Sequence, residues 1–240
     1  MEKSSKLVII PTYNEIENIE AITRAVFALK GGFNILVIDD GSPDGTAARV
    51  KELQQEFPSK LHLLERSGKL GLGTAYITGF KWALERGFDY IFEMDADFSH
   101  APSDLPRLLD ACEKGGADFA VGSRYKDGVS VVNWPIGRII MSYFASVYVR
   151  KVLGTKIMDS TAGFLCYSRR VLEAFDFDKV KMKGYGFQIE MKYTAVKKGF
   201  KICEVPVIFV NRKEGTSKMS GSIFGEAFWG VLGLRFRKVA

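Results

Sequence analysis

The sequence predicts an α/β fold, a mostly parallel and doubly wound sheet with helices on both faces. Three observations carry this. Short apolar runs alternate with amphipathic stretches through the first half of the chain, which is the signature of strand–helix–strand units. The 240 residues, 47% of them hydrophobic, supply one sizeable core. Acidic pairs fall at the ends of two apolar runs, Asp39-Asp40 and Asp95-Ala96-Asp97, and ligands of open α/β sheets sit at the carboxyl ends of strands.

Taken in order, residues 6–10 read as a first strand closed by Pro11. Residues 15–30 read as a helix with Ile19, Ile22, Val26 and Leu29 on one stripe. A second strand covers 33–39 and ends on the carboxylates. Asp44 can cap a helix over 45–57 that stops at Pro58. A third strand covers 61–65, and the loop through Gly68, Gly71 and Gly73 opens a helix to about residue 86. The fourth strand, 90–94, runs into DADFSH. Pro102 and Asp104 open a helix to about 114, and 119–122 is a fifth strand. The second half is less regular: a helix over 135–153, a strand over 164–167, a helix over 188–198, a strand over 201–207, a polar loop over 211–222, and an apolar, aromatic and then basic segment over 223–238.

The formal net charge of +6 suits an anionic partner without choosing among phosphorylated small molecules, anionic lipid and nucleic acid. A nucleic-acid binder wants basic and aromatic residues clustered on one face; here the charge is spread along the chain, so none is expected. Cys112, Cys166 and Cys203 are too far apart in sequence for a metal-binding pair and read as buried, reduced thiols of a cytosolic protein. The N-terminus is no signal peptide, and no stretch reaches the ~18 apolar residues of a membrane span. The expectation is a cytoplasmic protein, soluble or peripheral.

Asp95 and Asp97, one residue apart just past a strand, would repel if left alone. A divalent cation resolves this, because Mg²⁺ or Mn²⁺ takes oxygen ligands from one or two carboxylates and from substrate phosphates. Asp39-Asp40-Gly41-Ser42 is either a turn or a second ligand-facing pair whose acids hydrogen-bond a base or ribose. Pro11, Tyr13 and Glu15 follow the first strand. Tyr13 could stack on a nucleobase and Glu15 could hydrogen-bond it, and Glu15 serves equally to start a helix. The loop Gly71-Leu72-Gly73-Thr74-Ala75-Tyr76 only partly matches a dinucleotide fingerprint and follows the third strand, so it is a poor NAD signature.

In their order, PTYNE, VIDDGSPDGT, GLGTAY, MDADFSH, GSRY, NWPIGR, DSTAGF, GYGFQIEM and RKEGTSK resemble the dolichyl-phosphate (polyprenyl-phosphate) mannose synthases within glycosyltransferase family 2. The resemblance runs from Pro11 to Lys218. It implies a GT-A nucleotide-binding sandwich that uses GDP-mannose, Mg²⁺ or Mn²⁺ and a polyprenyl phosphate. By motif, Pro11, Tyr13, Glu15, Ile38 and Asp40 line the guanine and ribose pocket. Asp95, Ala96 and Asp97 contact the donor, and the two aspartates hold the metal, with Ser99 standing where many relatives have Gln. Arg124, Arg138 and Ser142 meet the acceptor phosphate, while Arg212 and Lys218 meet the donor diphosphate.

The implied reaction uses an acceptor that is already an anion and needs no strong base, so catalysis reduces to positioning and charge stabilisation, with Asp97, Arg124, Arg138 and Arg212 as the catalytic set. In-line attack would invert the anomeric carbon and give a β-linked product. The expected organisation is a catalytic domain over 1–222 and a C-terminal amphipathic helix over 223–240. That helix, with the apolar part of 135–153, would lie at the cytoplasmic face of a membrane; a membrane-anchoring partner subunit is the alternative. Two rival functions stand beside this one: a UDP-glucose-dependent polyprenyl-phosphate glucosyltransferase, and a non-catalytic nucleotide-binding membrane module.

Overall fold

The computed structural model describes residues 4–182, 184–211 and 221–237, and side chains throughout these except those of Tyr185 and residues 221–227. Its centre is a seven-stranded sheet of β1 (Lys6–Thr12), β2 (Phe33–Asp39), β3 (Leu61–Glu65), β4 (Tyr90–Glu93), β5 (Phe119–Ser123), β7 (Leu165–Ser168) and β8 (Ile202–Pro206), in the order β3-β2-β1-β4-β7-β5-β8. β6 (Val131–Val132) and β9 (Phe209–Val210) form a separate parallel pair. The helices are α1 (Ile16–Phe27), α2 (Thr46–Glu56), α3 (Leu72–Glu85), α4 (Leu105–Glu113), α5 (Ile136–Leu153), α6 (Arg169–Glu173), α7 (Gly184–Lys197) and α8 (Gly221–Phe236).

β1 shows why the sheet is central. Leu7, Val8, Ile9 and Ile10 are all fully buried, so the strand reads as a continuous apolar run, as strands covered on both faces do. Val8 and Ile10 meet α1, α2 and α4 through Ile19, Ile22, Val26, Val50, Leu53, Leu105 and Leu108. Leu7 and Ile9 meet α3, α6 and α7 through Tyr76, Phe80, Val171, Phe187 and Met191. Each such apolar side chain contributes about 1.5–3 kcal/mol on burial.

Topology fixes where ligands go. From β1 the chain builds β2 and β3 on one side and β4 on the other, so the crevice at the switch point lies past the carboxyl ends of β1 and β4. β7 is the exception to parallel pairing. It runs antiparallel between β4 and β5, with Leu165 opposite Glu93 and Val121. The segment leading into β7 therefore arrives at that same end of the sheet. β8 runs parallel to β5, which brings residues 207–211 and the β6–β9 pair there as well.

The five strands expected in the first half are present, with ends shifted by a residue or two. The helix expected from Pro102 is split into a 3₁₀ turn, Pro102–Asp104, and α4; Asp104 bonds Arg107 at 2.6 Å and makes no side-chain cap. α7 begins at Gly184, four residues before the expected start. α8 buries Val231 and Leu234 against Val149 and Leu153 of α5 and Ile189 and Tyr193 of α7. All three cysteines are free, Cys112 and Cys166 being buried. Among the described residues no helix is long and apolar enough to cross a membrane.

Candidate active site

On the β1–β2 side, turns are held by side chains. The Thr12 hydroxyl donates to Asp39 at 2.9 Å, and Ser42 donates to the same carboxylate through its amide (2.9 Å) and its hydroxyl (2.5 Å). Asp44 accepts from the Thr46 amide and hydroxyl and from the Ile16 amide, tying the starts of α1 and α2 together. Burial pushes the Asp44 carboxyl up, but these bonds outweigh it and hold it below the usual range. Asp40 receives a two-pronged guanidinium from Arg66, Nε at 2.6 Å and Nη2 at 2.8 Å, with both side chains about nine-tenths buried. Both acids of the Asp39-Asp40 pair thus have partners within the chain. Ile38 is fully buried and faces α3. Tyr13 is half-buried beside Pro11 and carries the Lys69 ammonium 4.9 Å over its ring. Glu15 sits at the cap position of α1, where its carboxylate accepts from Asn18 at 3.0 Å.

Past β4, Asp95 is half-buried while Ala96 and Asp97 are buried. The Ser99 amide donates to Asp97 at 3.0 Å, and the turn is sharpened by Phe98 at φ 57°. The Ser99 hydroxyl is buried with no partner among the described residues, a state that costs free energy unless something else supplies one. Two carboxylates and an orphaned hydroxyl form a hard-oxygen set that suits Mg²⁺ or Mn²⁺. Among the described residues no three His, Cys, Asp or Glu side chains gather as a metal cage; Mg²⁺ and Mn²⁺ commonly take one or two carboxylates together with substrate phosphates and water. Ser99 also links the two sides of the crevice, since its carbonyl accepts from the Val210 amide of β9 at 3.2 Å.

The other side centres on Arg124, directly after β5. Its backbone N–H, Nε and Nη2 donate to Asp159 at 3.0, 2.7 and 2.6 Å, and Nη2 also reaches the Thr161 hydroxyl at 2.8 Å. Burial pushes the Asp159 carboxyl up, yet the Arg124 charge and bonds hold it below the ordinary carboxylate range. The Arg124 guanidinium lies 5.3 Å from the Trp134 ring, and that of Arg138 lies 3.9 Å from the same ring. Trp134 therefore spaces the two cations, and Arg138 is oriented by a 3.0 Å bond to Asn211. The Trp134 indole N–H is buried without a partner among the described residues. Ser142, half-buried on α5, lies beside the Tyr125 phenol. The segment carrying Asp159 is pinned from three elements: Glu204 of β8 accepts the Met158 and Asp159 amides, Arg150 of α5 donates to the Met158 carbonyl, and Lys192 of α7 donates to the Ala162 carbonyl at 2.6 Å.

The structure thus gathers Pro11, Tyr13, Glu15, Ile38, Asp40, Asp95, Ala96, Asp97 and Ser99 at one end of the sheet, with Arg124, Arg138 and Ser142 reaching it from β5 and α5. Arg212 and Lys218 lie outside the described residues. Asp159, Trp134, Arg66, Asn211, Gln188 and Lys192 were not singled out by sequence reasoning. Asp159, Trp134 and Gln188 stand inside motifs that carry the resemblance, DSTAGF, NWPIGR and GYGFQIEM, and that is the available signal.

The acids past β4 and the guanidinium groups of Arg124 and Arg138, spaced by Trp134, thus lie at the same end of the sheet. The chain belongs to glycosyl transferase family 2, whose profile matches residues 7–175. Its sequence is 50% identical over 232 residues to polyprenol monophosphomannose synthase of Mycolicibacterium smegmatis, covering 95% of this chain and 87% of that protein. It is 46% identical over 240 residues to undecaprenyl-phosphate mannosyltransferase of Micrococcus luteus, covering 96% and 98%. Among solved structures it resembles glucosyl-3-phosphoglycerate synthase from Mycobacterium tuberculosis, crystallised with Mn²⁺, UDP and glucosyl-3-phosphoglycerate, with a TM-score of 0.71 over 99% of this chain and 82% of that one at 18% identity. That likeness is one of fold, the GT-A architecture. The chain is a glycosyltransferase.

Proposed function

We propose that this enzyme transfers mannose from GDP-mannose to a polyprenyl phosphate, with Mg²⁺ or Mn²⁺ held by Asp95 and Asp97 and completed by Ser99. The observation that carries the reading is the pairing of Arg124 and Arg138 across Trp134 at the same end of the sheet as the acid pair. A phosphate acceptor wants planar guanidinium donors. When bound, the cation neutralises charge on the leaving diphosphate. Arg124 and Arg138 orient the attacking phosphate oxygen, with Ser142 as a further donor. Arg212 and Lys218 are assigned by resemblance to the diphosphate. Pro11, Tyr13 and Glu15 frame the base; Ile38, whose side chain is buried against α3, acts there through its backbone alone, and Asp40 acts through, or in exchange for, its bond to Arg66. Attack from the face opposite the diphosphate inverts the anomeric carbon.

The acceptor's lipid explains the surface around α5. Ile136, Ile140, Met141 and Phe144 stand exposed at near-helical spacing on α5, and Phe228, Trp229 and Phe236 are exposed on α8. Tyr148 of α5 stacks on Phe228 at 4.7 Å, which joins the two helices. Lys151 and Arg235 supply cations for anionic headgroups. The enzyme accordingly works at the cytoplasmic surface of a membrane, by its own apolar face or with an anchoring subunit.

The test is turnover of GDP-mannose and of UDP-glucose with a short polyprenyl phosphate and Mn²⁺. A β-linked mannosyl phospholipid from GDP-mannose is expected. Preference for UDP-glucose would replace the donor, and an α-linked product would refute inversion.

A further inference from the structure

One polar line crosses the core between the two halves of the site. α7 carries Gln188 and Lys192 one turn apart, both almost wholly buried, among the apolar Phe187, Met191 and Ala195 that already fix the helix against the sheet. Gln188 donates through Nε2 to Glu93 of β4. The other Glu93 oxygen accepts from the Tyr167 hydroxyl of β7 at 3.0 Å. Lys192 donates to the Ala162 carbonyl at 2.6 Å and to the Gln188 carbonyl at 3.3 Å. Glu93 stands two residues before Asp95. Ala162 directly follows Thr161, whose hydroxyl accepts from Arg124. A single turn of α7 therefore spans from the strand that presents the donor-side acids to the segment that holds the acceptor-side arginine.

A buried ammonium costs several kcal/mol unless it is paired, and an apolar side chain would fill the same space more cheaply. Its charged neighbours are Glu93, Asp159 and Glu204, with Arg124 beyond. The cation thus lies between a carboxylate behind Asp95 and the carboxylate that clamps Arg124. We propose that Gln188 and Lys192 are positioning residues that hold the acids past β4 and the Arg124–Asp159 pair in register. This rests on the proposed function above, because it concerns the same two half-sites.

Four proteins test this: wild type, Lys192→Met, Glu93→Gln, and the two substitutions combined. Each is assayed for kcat and KM with both substrates at a temperature where circular dichroism shows it folded. Lys192→Met should lose roughly 10–100-fold in kcat/KM for the polyprenyl phosphate, the usual cost of removing an outer support. Assayed at about pH 9, where the Glu93 carboxyl is ionised, adding Glu93→Gln removes the carboxylate left uncompensated and should recover roughly tenfold of that loss, a rescue that simple loosening of the core would not give. A folded Lys192→Met with constants within about threefold of wild type, or a double variant no better than Lys192→Met, overturns the proposal. If Lys192→Met does not fold, Gln188→Met carries the test: a loss in kcat with little change in melting temperature supports the role, and unchanged kcat overturns it. Absence of transfer by the wild type overturns the proposed function and this role together, whereas wild-type transfer with indifferent variants overturns this role alone.

Discussion

Replacing Asp159 by Asn should cost stability and acceptor recognition together. The carboxylate is fully buried and accepts three bonds from Arg124, whose side chain is itself about nine-tenths buried. Asparagine keeps one acceptor oxygen but turns an N–H₂ toward the guanidinium and leaves its charge unbalanced. Breaking a buried ion pair from one side costs about 3–5 kcal/mol. In a protein of this size each kcal/mol moves the melting temperature by about 2–4 °C, so the expected fall is roughly 6–20 °C. Calorimetry reads this directly, and an acceptor titration at saturating donor reads the functional part. The double variant Arg124→Met/Asp159→Leu separates the two effects. Replacing both partners by apolar groups is often neutral, so it should melt near wild type yet turn over no acceptor. Asp159→Asn melting within about 2 °C of wild type, or a double variant that still uses the acceptor, would refute the reasoning.

Further outcomes follow from other parts of the molecule. Burial lowers His100 to about 4, so the fold loses stability as pH falls from 6.5 toward that value. Burial raises Glu93 to about 7, so its contribution is present below 4.5 and lost as pH rises through 7. The two slopes oppose one another, each bounded at roughly 3 kcal/mol. Melting curves in metal-free buffer should therefore show a steeper rise in stability from pH 5 to 6.5 for Glu93→Gln, and a fall for His100→Phe; parallel curves for all three proteins would contradict this. Gly73→Ala would place a Cβ 2.8 Å from the Phe187 ring, which stacks on Tyr76. Overpacking of about 1–3 kcal/mol should exceed the roughly 1 kcal/mol that alanine gains in a helix, and urea denaturation should show a net loss. Phe144→Glu/Trp229→Glu, at positions 62% and 71% exposed, should sharply reduce flotation with anionic vesicles while leaving the melting temperature unchanged; undiminished flotation would move the docking face elsewhere.

How far the sequence revealed this molecule depends on the residue. β1 and β2 were readable because a strand buried on both faces is a short apolar run bounded by turn residues. The acids at 95 and 97 were readable because their place follows from the strand before them. β7 was found as a strand, but its direction was not, since antiparallel insertion depends on tertiary pairing with β4 and β5. Glu93 and Lys192 look in sequence like any charged residue of a solvated face, and only the fold shows them buried. Arg66 was hidden for a related reason: its tie to Asp40 joins the ends of neighbouring strands and leaves no periodic trace. α8 reads in sequence as an amphipathic helix, and its described side chains divide between the α5–α7 core and an exposed aromatic face.

The claim beneath the whole account is that Asp95 and Asp97 seat a cation under the donor diphosphate, facing Arg124 and Arg138. Anomalous scattering from crystals grown with Mn²⁺ and GDP tests it most directly. The account predicts a peak about 2.1 Å from an Asp97 carboxylate oxygen, bridged to diphosphate oxygens, with both guanidinium groups opening onto the same cavity. A peak held by other side chains in crystals of active enzyme, or a diphosphate bound away from Asp95 and Asp97, would contradict it.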